Sequence, residues 1–218
     1  APPSLFVSRH VLEHMPEPAA FVAELRKAVG ERAGTPLFIE VPDLSWIARH
    51  GAFWDFCYEH CSYFTDASLG AALRRGGFVP TSTQVAYGDQ YRWMEAIASA
   101  APETGAPDDG GDVVGMLSDY AASETGSIHA VRDRLAGLKR EGAAIVVWGM
   151  ATKGIMFSLM VDPSGDLIDT TVDLNRNKHG CFVPISARPI EAPERLREFA
   201  NRAMAIVVMN PNYLHEVR

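Results

Sequence analysis

No stretch of the 218 residues approaches the roughly 20 consecutive apolar positions that a membrane helix requires, and no charged-then-apolar leader opens the chain. A membrane partner is therefore not expected. Basic residues are in short supply too. Lysine and arginine number 20 against 27 aspartates and glutamates, for a formal net charge of −7. No basic face is left to displace counterions from a nucleic acid, which excludes that partner class. Cysteine is sparse: Cys57, Cys61 and Cys181 are an odd number, far below the density of a disulfide scaffold, which points to a reducing, cytoplasmic setting. Repeats and low-complexity tracts are missing. So is an initiator methionine, and the last residues read as the start of a helix without its cap, so both ends read as fragment ends.

What is present is ordinary globular material. Hydrophobic residues make up 47% of the chain, enough for one large or two small cores. Residues 5–7 read as a short buried strand. Prolines then start a helix in which Phe21, Val22, Leu25 and Val29 share one face. Residues 37–41, stopped by Pro42, form the next strand. Strand, helix, strand in this rhythm predicts a parallel sheet with covering helices. An aromatic and polar stretch over residues 45–64 breaks the rhythm. A helix over residues 66–75 closed by Gly76 and Gly77 follows, then two strands over residues 78–85 and 92–98.

Residues 99–112 have the proline, glycine and aspartate content of a linker. The predicted division is a first domain over residues 1–98, this linker, and a second domain over residues 113–218. The second opens with a long helix over residues 113–140 whose apolar face includes Ile128, Val131, Leu135 and Leu138. A strand over residues 143–148, a glycine turn and a helix from Ile155 make the opening unit of a nucleotide fold. Residues 167–172 and 205–208 supply two more strands.

Three groups of residues invite chemistry. His10, Glu13 and His14 match the HxxEH zinc pattern, but that chemistry needs both histidines one turn apart on a helix. Here they follow a strand and precede two prolines, so polar residues closing a strand-to-helix turn is the better reading. The second group is WDFCYEHCSYF, residues 54–64. A histidine beside a glutamate in an aromatic wall suits proton abstraction, because neutral imidazole accepts a proton near neutral pH. Cys57, His60 and Cys61 would serve a metal only with a fourth ligand that is not apparent. A packed structural loop also explains the stretch. No metal site is expected from either group. The third is the turn GMATKG, residues 149–154. Gly149 and Gly154 let backbone N–H groups approach a phosphate, and Lys153 adds a cation. It is neither a Walker loop nor a GxGxxG fingerprint, and a plain tight turn explains it as well.

Taken together these segments resemble a known family. VSRHVLEHMPEP (residues 7–18) followed by IEVP (residues 39–42) is similar to the fourth and fifth strands of class I S-adenosylmethionine-dependent methyltransferases. The glycine-rich cofactor loop that the family places upstream does not occur in this chain. EHCSYF (residues 59–64) resembles the HEHxSYF-like motif of bacterial sugar C-methyltransferases, which methylate a ring carbon beside a ketone in a nucleotide-linked sugar. The glycine turn, DLNRNKHG (residues 173–180), VPISARPI (residues 183–190) and VVMN (residues 207–210) resemble that family's C-terminal domain in order and spacing. Cys57-Tyr58 stands where the family commonly has Tyr-His, and Trp148, Ile185 and Met209 replace its usual Tyr, Gly and Trp.

The resemblance implies an α/β protein: a partial class I methyltransferase Rossmann-like sheet, then a second Rossmann-like domain. It implies S-adenosylmethionine as cofactor and a small, nucleotide-sugar-like substrate. His60 would be the base, with Glu59 and Tyr63 beside it. His10, Glu13 and His14 would face the cofactor. Tyr58, Gly149, Lys153, Gly154, Asn175 and Lys178 would contact substrate. Apart from the resemblance, Gln90 and Arg92 are read as lining the cleft from its far side, and a hairpin turn explains them as well. Two rival readings are a non-catalytic nucleotide-sugar or metabolite-binding module, and a second domain that is an NAD-type dehydrogenase half.

Overall fold

The structure, a computed structural model, describes residues 2–100, 112–210 and 214–217. It divides into two compact units, Ala1–Ala52 with Tyr58–Tyr120, and Phe53–Cys57 with Ala121–Arg218. Residues 101–111 of the expected linker lie outside the described residues. Five residues from the middle of the aromatic stretch thus group with the second unit, which the sequence reading does not anticipate.

The first unit is a mixed sheet with helices packed on it. Strands β1 (Phe6–Arg9) and β2 (Pro36–Pro42) run parallel, separated by helix α1 (Pro18–Val29). Strand β4 (Tyr91–Ala98) pairs antiparallel with β2, and β3 (Phe78–Ala86) antiparallel with β4, giving the order β1-β2-β4-β3. The period of two sends Leu37, Ile39 and Val41 of β2, and Met94, Ala96 and Ala98 of β4, into one core. Val22 and Val29 of α1 and Leu69 and Leu73 of helix α3 (Asp66–Arg75) complete it. Each buried Val, Leu, Ile or Met side chain among them contributes about 1.5–3 kcal/mol. Thr65 and Ser68 start α3 with reciprocal side-chain-to-backbone bonds. Gly76 ends it where a Cβ would lie 2.3 Å from Val22 Cγ1. That proximity is why a residue without a side chain stands there.

One helix escapes the sequence reading. Helix α2 (Leu44–His50) occupies the start of the aromatic stretch. It has only seven residues, too few for a clear period, and it is set by its ends. The Asp43 side chain accepts from Ser45 N and Trp46 N, and Gly51 closes the helix at φ 58°.

The second unit takes residues Ala121 onward of the long helix α4 (Val113–Arg140), whose Ile128, Val131, Leu135 and Leu138 meet its core. Strand β5 (Ala144–Trp148) leads into helix α5 (Thr152–Val161), which starts one turn earlier than the expected Ile155. Strands β6 (Thr170–Val172), β7 (Ile190–Glu191) and β8 (Met204–Val208) follow, all parallel, in the order β7-β6-β5-β8. Ala144, Ile145, Val146 and Val147 are all fully buried, as a central parallel strand requires. In order of appearance the strands stand 3-2-1-4, half of a doubly wound nucleotide fold. Its topological switch lies between β5 and β8, where such sheets bind ligands at their carboxyl ends.

Strand β6 is shorter than the apolar run that predicts it. The Asp162 carboxylate accepts from Leu167 N and Ile168 N at 3.0 and 2.8 Å, so those amides cap a loop instead of joining a ladder. Further on, Ser186 N donates to Pro184 O at 2.7 Å around Ile185, which has φ 66°. A branched residue in this tight turn is strained by about 1–2 kcal/mol, and Ile185 is 81% exposed, so little packing repays it. Ile185→Gly is expected to raise stability by about 0.5–1 kcal/mol after glycine's extra unfolded entropy. Thermal unfolding checks this, and an unchanged or lower midpoint would show that the turn is not strained.

Candidate active site

In the first unit the chain turns sharply after β1. His10 has φ 53°, and residues Leu12–His14 form a single 3-10 turn. No helix carries HxxEH, so His10 and His14 do not share a face. The His10 ring nitrogens approach Glu40 Oε1 at 2.9 Å and Glu13 Oε1 at 3.4 Å. His14 points the other way, with Nδ1 3.0 Å from the Glu59 carbonyl oxygen.

The peptide groups hold this turn against the aromatic stretch. Cys61 N and Ser62 N donate to Glu13 O at 2.8 and 3.1 Å. The His14 and His60 rings meet edge to face at 4.9 Å, and Tyr63 lies 5.5 Å from His60. Glu13, His14, His60 and Tyr63, from two of the three groups that the sequence singles out, therefore sit in one place. Glu59 reaches it by its backbone, while Tyr58 is 75% exposed.

Glu40 is a site residue that the sequence reading passed over. It is buried in β2, where Arg9 Nε donates to it at 3.1 Å, Trp93 Nε1 donates to its other oxygen, and His10 joins. Hydrogen bonding and charge from Glu40 raise the Arg9 pKa above its ordinary value. The available signal was a lone acid in an otherwise apolar strand, LFIEVP. Arg92, expected at the substrate, has its guanidinium engaged by Asp43 at 2.6 Å and Asp66 at 3.1 Å, and Gln90 is buried with its carbonyl accepting from Asp43 N.

In the second unit the GMATKG turn lies at the carboxyl end of β5, beside the switch point. Gly149 has φ 97°, and a Cβ on Gly154 would stand 2.2 Å from Gly149 O, so both glycines are required by the turn itself. Lys153 Nζ is 2.6 Å from Asp55, a buried residue of the Phe53–Cys57 segment. Phe53 and Trp54 pack on Phe157 in the same core. The Asn175 side chain accepts from Asn177 N at 3.1 Å.

Lys178 donates to Asp173 at 2.8 Å. Asp173, at the end of β6, also accepts from Met150 N and Asn175 N. An acid at this place in a dinucleotide fold would hold ribose hydroxyls. Here its oxygens already serve Lys178 and two amides, which weakens the dehydrogenase reading. Burial alone would raise the Asp173 pKa, but the Lys178 and backbone hydrogen bonds outweigh it and hold it below the ordinary value. A lowered folded value contributes stability above the unfolded carboxylate pKa of about 3.9 that is lost as pH falls through the folded value. Asp173→Asn is therefore expected to unfold about 1.5–3 kcal/mol more easily at neutral pH, the gap closing below about pH 4. A gap independent of pH in denaturant titrations would count against the ion pair.

Among the described residues no helix is long and apolar enough to cross a membrane. The profile of a family described as C-methyltransferase C-terminal domain matches residues 109–218, and that of a methyltransferase domain matches residues 1–83. No curated protein matches the chain.

Proposed function

Since the chain belongs to the C-methyltransferase family defined by that C-terminal domain, and is a methyltransferase of the class I type, we propose that it methylates a carbon beside a ketone in a nucleotide-linked sugar, with His60 as the base. The observation that carries this reading is the convergence of His14, His60 and Tyr63 beside buried Glu13 at the end of a parallel strand. S-adenosylmethionine, the proposed donor, supplies an electrophilic methyl group. The donor set at the end of β1 suits such a cation: Glu13 and Glu40 are both buried carboxylates around His10. His10, Glu13 and His14 would hold it there.

The chain's own part is proton removal and orientation. A proton alpha to a carbonyl must leave before that carbon can attack a methyl group, and the imidazole of His60 accepts it. His14 buttresses the His60 ring edge to face, and is itself held by the Glu59 carbonyl. Tyr63 offers a hydroxyl to the oxygen on which charge develops. In the second unit, the Gly149 turn with Gly154, and Lys153, Asn175 and Lys178, would contact the nucleotide and diphosphate at the carboxyl end of β5. Both lysines must then share their charge with a phosphate as well as with Asp55 and Asp173.

The test is calorimetric titration with S-adenosylmethionine and with keto-sugar nucleotides, followed by NMR of the product. A new carbon-bound methyl group supports the reading. Methyl groups found only on oxygen or nitrogen would remove carbon chemistry, and nucleotide-sugar binding without any transfer would favour a binding module.

A further inference from the structure

One donor atom each from Glu13, His14 and His60 lies within 4.8 Å of the other two. Proximity alone makes no site, but two further features point to a ligand. First, the tautomer of His14 is dictated. A carbonyl oxygen only accepts, so the contact with Glu59 O places a proton on Nδ1, and the neutral ring then carries its lone pair on Nε2. Donating one ring N–H to a backbone carbonyl is how proteins orient an imidazole that binds metal through the other nitrogen. Second, Glu13 is 1% exposed. Its Oε1 faces His10, while Oε2 is buried with no hydrogen-bond partner among the described residues. Leaving such an oxygen unsatisfied costs about 1–3 kcal/mol, more when it is charged, and a cation would remove that cost.

We propose that Glu13, His14 and His60 form a three-ligand site for a divalent transition-metal ion of the zinc type, with a fourth position open. Two imidazoles and one carboxylate favour zinc over magnesium or calcium, which prefer all-oxygen shells. The sequence pattern that invites a zinc reading pairs His14 with His10; the fold replaces His10 by His60. The amides of Cys61 and Ser62, bonded to Glu13 O, fix the two segments before any ion arrives. Tetrahedral ligands with bonds of about 2.0–2.1 Å stand about 3.4 Å apart, so binding draws the three groups inward. An ion on His60 takes the lone pair that would accept a proton, so metal binding and base action exclude each other. That consequence rests on His60 being the base, whereas the binding itself does not.

The experiment titrates the purified chain with Zn²⁺ against a chromogenic chelator, and with Co²⁺ to read its visible absorption. The expected result is one equivalent bound, weakening in acid because protons compete with the ion for the ligand atoms. Glu13→Gln and His14→Gln should each weaken binding by at least about tenfold, the least that even a supporting contact contributes. A variant with all three cysteines changed to serine should bind as the parent does. Circular dichroism checks that each variant folds, and if Glu13→Gln does not, His14→Gln decides alone. Zinc held equally well by His14→Gln, lost with the thiols, or not bound at one equivalent overturns the site. Methyl transfer plays no part in this readout, so failure of the base reading would leave the outcome unaffected.

Discussion

His60→Ala is expected to lower methyl transfer by about two to four orders of magnitude, the range that a positioned acid or base contributes. The far-UV spectrum and the binding of nucleotide sugar should stay as they are. Two histidines stand together here in different surroundings. The Glu59 carbonyl fixes the orientation of His14 through Nδ1. His60 lies in the aromatic stretch, edge-on to His14 and near Tyr63. A base that only needs a lone pair can be replaced in part by added imidazole, so some activity should return to His60→Ala in its presence. Parental turnover in the variant would remove His60 from the mechanism. A loss that imidazole does not touch, together with altered binding, would point to a packing role.

The largest expected loss of stability follows from Glu40→Ala. Its side chain is wholly buried, yet Arg9 and His10, two of its three partners, are half exposed. Removing the acid lets those side chains turn to water, so the cost comes from the missing acceptor for Trp93 Nε1, the lost charge-assisted bonds with Arg9 and the void. These sum to about 3 kcal/mol, and for a unit of this size each kcal/mol lowers the unfolding midpoint by about 4–8 °C. Calorimetry on Glu40→Ala should therefore show a drop exceeding about 10 °C. A shift of only a degree or two would mean that burying the carboxylate costs as much as its partners return, as happens for some buried ion pairs.

Much of the fold was legible because it obeys local rules. The alternation of Leu37, Ile39 and Val41, the period of α4, and the unbroken apolar run of β5 each carry their own signal. The elements that escaped are governed by side chains acting on distant backbone. Helix α2 is set by Asp43, and the late start of β6 by Asp162. At the site, motif likeness singled out His60, Glu59 and Tyr63, as well as His14. It did not place His14 against His60, because that contact depends on Glu13 O accepting two amides from a segment far along the chain. Nor did it divide the aromatic stretch. Phe53 and Trp54 are sorted by Phe157, a partner that spacing alone does not reveal.

Strand β5 has its two neighbours drawn from later in the chain, β6 from residues 170–172 and β8 from residues 204–208. While the polypeptide is being made, the most apolar strand of the second unit therefore emerges well before either edge can be paired. Until Met204–Val208 follows, an unpaired β5 edge stands open to other chains, a hazard shared by parallel sheets whose contacts are remote in sequence. Slow translation or missing chaperones should thus harm the yield of this protein more than its final stability would indicate.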